Sequence, residues 1–273
     1  MVSNKSTEHW RESYTRDLYE PRGWMALFQL QWLQPGDVFD LRISERDSSV
    51  CGTVQRLADT LVFRSAGNTR TTIGMVENVK VFELALDRAE KPDFVMAGLR
   101  TWVGIARGKR IGVRGWDVSK AAAMRKVPLR WAPIQSQWIF DAPWVRYKQP
   151  RMVPITNVLG DTVLTPMAGY ASVDIGKQSY RLEGVEVLSE GVMTFAFRDL
   201  SSNDIAYQPG RFLDAPLPVG GRIRLDFNRA YNPPCAYSDF ATCPLPHRQN
   251  VLDLRIAAGE LRYPRPHKIK NVP

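Results

Sequence analysis

The sequence predicts a mainly β protein, with antiparallel sandwich or barrel-like sheets and an N-terminal helix. Three observations carry this. Short runs rich in β-branched and aromatic residues recur along most of the 273 residues, separated by Gly, Pro, Asn and Asp. Helical patterning is confined to the first twenty residues and one short alanine run. No alternation of strands with long helices, of the kind that builds parallel sheets, is present.

The elements follow in order. Over residues 7–19, Trp10, Tyr14 and Leu18 recur at i, i+4 and i+8 and share one helix face. Ser6 is the expected N-cap, Glu8 and Glu12 lie near the positive end of the helix dipole, and Pro21 stops the helix. Strands are expected at 26–33, closed by Pro35-Gly36, then at 38–43, 52–57, 60–64, 79–86, 101–105 and 110–114. Three consecutive alanines mark a second short helix over 119–126. Beyond it, strands are expected at 137–140, 151–155, 170–175, 179–182, 185–188, 193–197, 222–227 and 252–256. Gly176-Lys177 and Gly220-Gly221 are the sharpest hairpin signals. A boundary near the Pro-bearing stretch 144–150 divides the chain into halves 1–148 and 149–273; no flexible linker marks it, so the alternative is that both halves share one core.

Composition narrows the classes of function. Hydrophobic residues make up 44% and charged residues 24%, which excludes a disordered, collagen-like or coiled-coil chain. No apolar run reaches the roughly 18 residues of a membrane span, so no membrane is expected. The N-terminus shows no apolar leader segment, and three cysteines do not make a disulfide scaffold. A cytoplasmic location follows as the expectation.

The net charge of +9 is concentrated. Residues 100–151 hold twelve basic side chains against Asp117 and Asp141, a net +10, together with five of the eight tryptophans. Such a segment can be a solvated face over core tryptophans, a site for an anionic ligand, or a dock for an acidic protein partner. Nucleic acid is disfavoured, because no helix-turn-helix, ribonucleoprotein or zinc-finger pattern accompanies the charge.

Dinucleotide, phosphate-loop, serine-elbow and zincin motifs are absent, and only His9, His247 and His267 could serve a catalytic triad. Cys235, Cys243 and His247 are spaced loosely for zinc and lack a fourth ligand, so neither metal nor cofactor is expected.

The most distinctive stretch runs from Asp226-Phe227-Asn228-Arg229-Ala230-Tyr231-Asn232-Pro233-Pro234-Cys235 through Ala236-Tyr237-Ser238-Asp239-Phe240 to Cys243-Pro244-Leu245-Pro246. With Asn250 and Ala257-Ala258-Gly259-Glu260 it resembles the signature of a bacterial and archaeal family, domain-of-unknown-function family 1684. Pro21-Arg22-Gly23-Trp24, Leu30-Gln31-Trp32-Leu33, Asn157-Val158-Leu159-Gly160 and Gly210-Arg211-Phe212 are similar to further pieces of it. The similarity is strongest over 150–260. A stretch reminiscent of forkhead-associated domains, usual between residues 35 and 100, is scarcely preserved. The resemblance implies a mainly β protein and brings no established activity or catalytic residues.

Physical reasoning therefore supplies the site. The span 228–251 shows no strand or helix pattern, and loops that long are usually functional when ordered. Prolines 233, 234, 244 and 246 stiffen it. Two readings from different classes result. In the first, a cytosolic enzyme acts on a small anionic, carboxylate- or acyl-bearing molecule. Arg211 and Arg229 hold the anion, with Asn232, Tyr237 and Arg114 as further binding residues. Asp226, Tyr231 or Cys235 supplies acid, base or nucleophile. In the second, a non-catalytic β-barrel module binds such an anion, or an acidic partner protein. A third, purely structural reading pairs Asp226 with an arginine, lets Asn232 cap a turn and buries the cysteines.

Overall fold

The computed structural model describes residues 4–44, 49–67, 69–176 and 178–265. Lys177 of the expected hairpin, and His267, Lys268 and Lys270 near the C-terminus, lie outside the described residues. By contacts, the chain divides into two units, Arg16–Lys126 and Met1–Thr15 with Val127–Pro273. The expected boundary at 148/149 falls inside a continuous strand, and the division lies after Lys126 instead.

Helix α1 (Asn4–Leu18) begins two residues ahead of Ser6, so Ser6 lies in its first turn and is not its cap. Ser6 Oγ instead accepts a hydrogen bond from Arg229 Nη2 at 2.7 Å. The Trp10–Tyr14 stripe forms as expected, the two rings stacking at 5.3 Å.

Among the described residues, the unit 16–126 contains ten strands. They are β1 (Leu27–Leu33), β2 (Val38–Arg42), β3 (Val50–Leu57), β4 (Thr60–Ser65), β5 (Thr72–Ile73), β6 (Val76–Glu77), β7 (Val81–Leu84), β8 (Phe94–Ala97), β9 (Arg100–Arg107) and β10 (Arg110–Asp117). They form a six-stranded sheet in the order β1-β10-β9-β8-β5-β6 and a four-stranded sheet β2-β3-β4-β7, every pair antiparallel. Leu41, Val54 and Phe63 of the smaller sheet share a core with Val95, Trp102 and Ile111 of the larger, the packing of a sandwich. Helix α2 (Val118–Met124) is capped by Asp117, whose Oδ1 accepts from Ser119 N at 2.9 Å.

In the second unit, six strands follow one another: β11 (Ile139–Thr156), β12 (Thr162–Ile175), β13 (Gln178–Val187), β14 (Val192–Phe197), β15 (Arg211–Pro216) and β16 (Arg222–Asp226). Their order β15-β14-β13-β12-β11-β16 makes one antiparallel sheet that curls until its ends nearly meet. Strand β11 unites two expected strands. Pro150 lies where the register with β12 shifts between Arg146 and Arg151, a bulge that needs no donor from it. The β15–β16 turn uses Gly220 and Gly221, at φ +58° and +73°, as a two-glycine hairpin requires.

The expected strand 252–256 is irregular backbone. Its backbone pairs with residues 198–200: Leu252 N donates to Arg198 O, and Leu254 O accepts from Leu200 N, both at 2.8 Å. Inside the curl, Trp144, Phe195, Phe197, Leu225 and Phe227 form the main core, with Phe197 and Phe227 edge-to-face at 5.4 Å. No helix among the described residues is long and apolar enough to cross a membrane.

Candidate functional site

The signature residues come together, but as a structural knot. Asp226 Oδ1 accepts from Asn228 N and Nδ2 at 3.1 and 2.9 Å, and Oδ2 accepts from Thr7 Oγ1 at 3.0 Å. Arg229 Nε stands 3.5 Å from the same Oδ2. Tyr231 donates its hydroxyl to Asp214 at 2.7 Å and packs on Trp10 and Tyr14 of α1; burial pushes its phenol well above the ordinary range. Asn232 is buried, its backbone N–H on Glu260 Oε2 at 2.9 Å and its side chain on Leu261 O at 2.9 Å. Tyr237 is buried against Glu260 as well. Gly259, at φ +79°, lies so close to Ala230 O that any side chain would collide with it. Arg11 reaches from α1 over the Trp131 ring to Asn228 O, at 2.9 Å.

The other expected anion-binding arginines are engaged elsewhere. Arg211 is 1% exposed; its guanidinium pairs with Asp199 at 3.0 Å and donates to Ile256 O, Ala258 O and Ser201 Oγ. Arg114 belongs to the unit 16–126, on β10, buried beside the Trp24 ring. The basic segment is divided between the units, and acids from outside it offset several of its charges. Arg107 pairs with Asp87, Arg146 with Glu186 and Arg151 with Glu183. Four of its five tryptophans are core.

The cavity lies elsewhere in the same unit, on the face of the curled sheet opposite the main core. On β13, Leu182 points into that core, so Glu183, Val185 and Val187 face the other way. There they meet Ala196, Phe212 and the returning segment Pro244-Leu245, enclosing a largely apolar cavity of about 230 Å³. A second, shallower groove of about 390 Å³, lined by Arg151, Val153, Arg248 and Val251, shares His247 with it.

A buried ion cluster stands where the two meet. Glu183, 4% exposed, accepts hydrogen bonds from both Arg151 and Tyr147. His247 Nε2 lies 3.3 Å from Glu183 Oε2. Burial holds the imidazole below its ordinary 6.5, with Arg151 acting in the same direction and Glu183 against it, so it is neutral at pH 7. Burial and the Glu183 carboxylate raise the Tyr147 phenol.

Asn250 organises the cluster from behind. The β13–β14 ladder ends with Val185 opposite Thr194; continued in the same register it would set Gly184 opposite Phe195 and then Glu183 opposite Ala196. Instead the strands part, and the Asn250 amide spans them: Oδ1 accepts from Glu183 N at 2.8 Å, and Nδ2 donates to Glu183 O and Ala196 O at 2.8 and 2.9 Å. Chemically, the site offers a short apolar chamber, a neutral imidazole, one well-held carboxylate and arginines at the rim. No group of three or more His, Cys, Asp or Glu suited to a metal occurs among the described residues.

Sequence reasoning placed the site in the 226–246 loop; only Pro244 and Leu245 of that loop reach this cavity. Glu183, Arg151 and Tyr147 were missed. The available signal was Glu183 itself, a charge inside a β-rich run, at a position whose strand neighbours Leu182 and Gly184 are both buried.

No curated protein matches this chain. A solution structure of an uncharacterized protein from Haloarcula marismortui shares 29% identity, over 49% of this chain and 75% of that one, with a TM-score of 0.41. The family model described as protein of unknown function (DUF1684) matches residues 127–261, the curled sheet with its signature loop. The resemblance to the DUF1684 family is thus shown for residues 127–261.

Proposed function

We propose that residues 127–261 bind a small amphiphilic anion, its short apolar body in the sheet cavity and its carboxylate or acyl-bearing head in the adjoining groove. The observation that carries this is the shared wall: His247 lines both the apolar cavity and the arginine-bearing groove. Arg248 is exposed at that rim and has no ion-pair partner among the described residues, so it can meet an incoming anion. The chamber, at about 230 Å³, is smaller than the roughly 300–1,000 Å³ of drug-sized sites, which favours a short chain over a long one. An acidic protein docking on residues 100–151 has less support, since Arg107, Arg146 and Arg151 of that segment already pair with acids of their own units. Cytoplasmic action is part of the proposal, supported by three unbridged cysteines.

A calorimetric titration with straight-chain carboxylates and the alcohols of equal length tests it. Carboxylates should bind more tightly than alcohols, Arg248→Ala should erase the difference, and Ala196→Phe should fill the chamber and abolish both. Binding unchanged in Ala196→Phe, or no binding by any chain length, would overturn the proposal. One observation favours an enzymatic reading of the same site, the neutral His247 beside Glu183. It requires turnover of short-chain esters that disappears in His247→Gln while carboxylate binding survives.

A further inference from the structure

Cys235 and Cys243 do not line the cavity, yet they are placed against each other. The Cys235 backbone N–H donates to Cys243 Sγ at 3.1 Å, which fixes that sulfur over residue 235. The Cys235 sulfur also accepts side-chain hydrogen bonds from Cys243 and Tyr207. Both thiols are buried, at 9% and 5% exposure, and both are reduced. Cys235 sits in a single 3-10 turn opened by Pro233-Pro234, whose amides close back on the two prolines. Cys243 is pinned by its own carbonyl, which accepts from Val158 N at 3.0 Å.

We propose that Cys235 and Cys243 are a redox-active pair that a hydroperoxide converts reversibly to an intramolecular disulfide. The two hydrogen bonds received by the Cys235 sulfur favour its thiolate and depress its pKa, which makes it the attacking group. Cys235 attacks one oxygen of the hydroperoxide, the O–O bond breaks, and the departing hydroxide takes up a proton as water. Cys235 then carries a sulfenic acid. Cys243 attacks that sulfur, the S–O bond breaks, and hydroxide leaves with the Cys243 proton as a second water. Two thiols lose two electrons, and one hydrogen peroxide becomes two waters. Cys51 is the built-in contrast: burial pushes its thiol up to about 11, and it lies in the other unit.

The pair has a mechanical link to the cavity. Pro244 and Leu245, which line it, follow Cys243 directly, and Leu245 N is held by Thr156 O at 2.8 Å. A disulfide would tie that wall to the turn at Cys235. The pair stands on its own geometry, whatever the cavity holds.

The test treats the full chain with hydrogen peroxide, alkylates it under denaturing conditions and maps the peptides. The expected result is one alkylatable cysteine, Cys51, a Cys235–Cys243 linked peptide lighter by two hydrogens, and recovery of all three thiols with a reductant. In Cys243→Ser the sulfenic acid should persist on Cys235 and be trapped by dimedone. Three alkylatable thiols after treatment, or Cys51 consumed as fast as Cys235, would overturn it. The wild-type peptide map decides the matter even if the serine variant fails to fold.

Discussion

The hydroxyl of Tyr237 bridges the two carboxyl oxygens of Glu260, at 2.6 and 2.7 Å, and also meets the hydroxyl of Tyr14 at 3.0 Å. Tyr14 in turn lies 3.3 Å from Asn232 O. Glu260 thus accepts from Tyr237 and, at Oε2, from Asn232 N at 2.9 Å, at the end of a buried chain that runs through two tyrosine hydroxyls. Once ionised, this carboxylate is fully buried and has no arginine or lysine hydrogen-bonded to it among the described residues.

Glu260 should make stability depend on pH. Burial raises its carboxyl from the ordinary 4.5 to about 7. The unfolded chain releases this proton more readily, so the stabilisation is complete below 4.5 and is lost as pH rises to about 7. A shift of that size corresponds to about 3 kcal/mol. Urea melts at about pH 5 and about pH 8 should show wild type losing stability between them and Glu260→Gln losing little, since the amide mimics the protonated acid.

Arg211 should behave as a core residue. It is 1% exposed and Asp199 is fully buried. Arg211→Ala leaves that carboxylate unpaired and should cost about 3–5 kcal/mol. Arg211→Lys should recover little, because one ammonium cannot serve acceptors spread across residues 199, 201, 256 and 258. Arg211→Met with Asp199→Asn should be milder than the two single losses added together, as thermal melts of the cycle would show.

Arg229 should matter less than its place in the signature suggests. Its side chain is 27% exposed, 3.5 Å from Asp226 and 2.7 Å from Ser6. Arg229→Ala should cost at most about 1 kcal/mol and leave carboxylate binding unchanged, because the residue does not line the cavity. A variant that folds normally but loses binding would move the site back to the loop.

His247 should titrate below 6.5 when followed by NMR. Removing the Arg151 charge (Arg151→Ala) should raise the midpoint, and Glu183→Gln should lower it, because these two groups act on it in opposite directions. Its contribution to stability has the sign opposite to that of Glu260. The unfolded chain takes up the imidazole proton first, so stability falls as pH drops below 6.5.

Much of the fold was legible because local patterning and tertiary structure agree. Strands 52–57, 60–64, 101–105 and 110–114 alternate or run apolar between turn residues, and they form within a few residues of expectation. In the sequence β11 looks like two pieces because its prolines resemble breaks; a bulge absorbs Pro150, and Pro143 lies toward one end. β15 was not expected at all, since Arg211 and Asp214 interrupt its apolar run. Their partners, Asp199 for the one and Tyr231 and Thr194 for the other, are distant in sequence.

The candidate site was less legible for a related reason. Rigidity in the 226–246 loop is visible as prolines and aromatics, but rigidity alone does not say whether a loop faces a ligand or a helix. Here it faces α1, through Thr7, Arg11 and Tyr14. Glu183, Arg151, Tyr147 and His247 come from three separate stretches, and only the return of the chain across the outer face of the sheet brings His247 and Asn250 to the others.

That return has a mechanical consequence. A strand ladder frays one rung at a time, and each rung that opens weakens only its neighbour. At Glu183 and Ala196 the rungs are replaced by three hydrogen bonds that all end on Asn250. They break together when a single side chain withdraws, and the separated strands on either side remain anchored by their own ladders. The seam thus works like a zip with one removable tooth, and opening it costs the displacement of a loop, with no melting of the sheet.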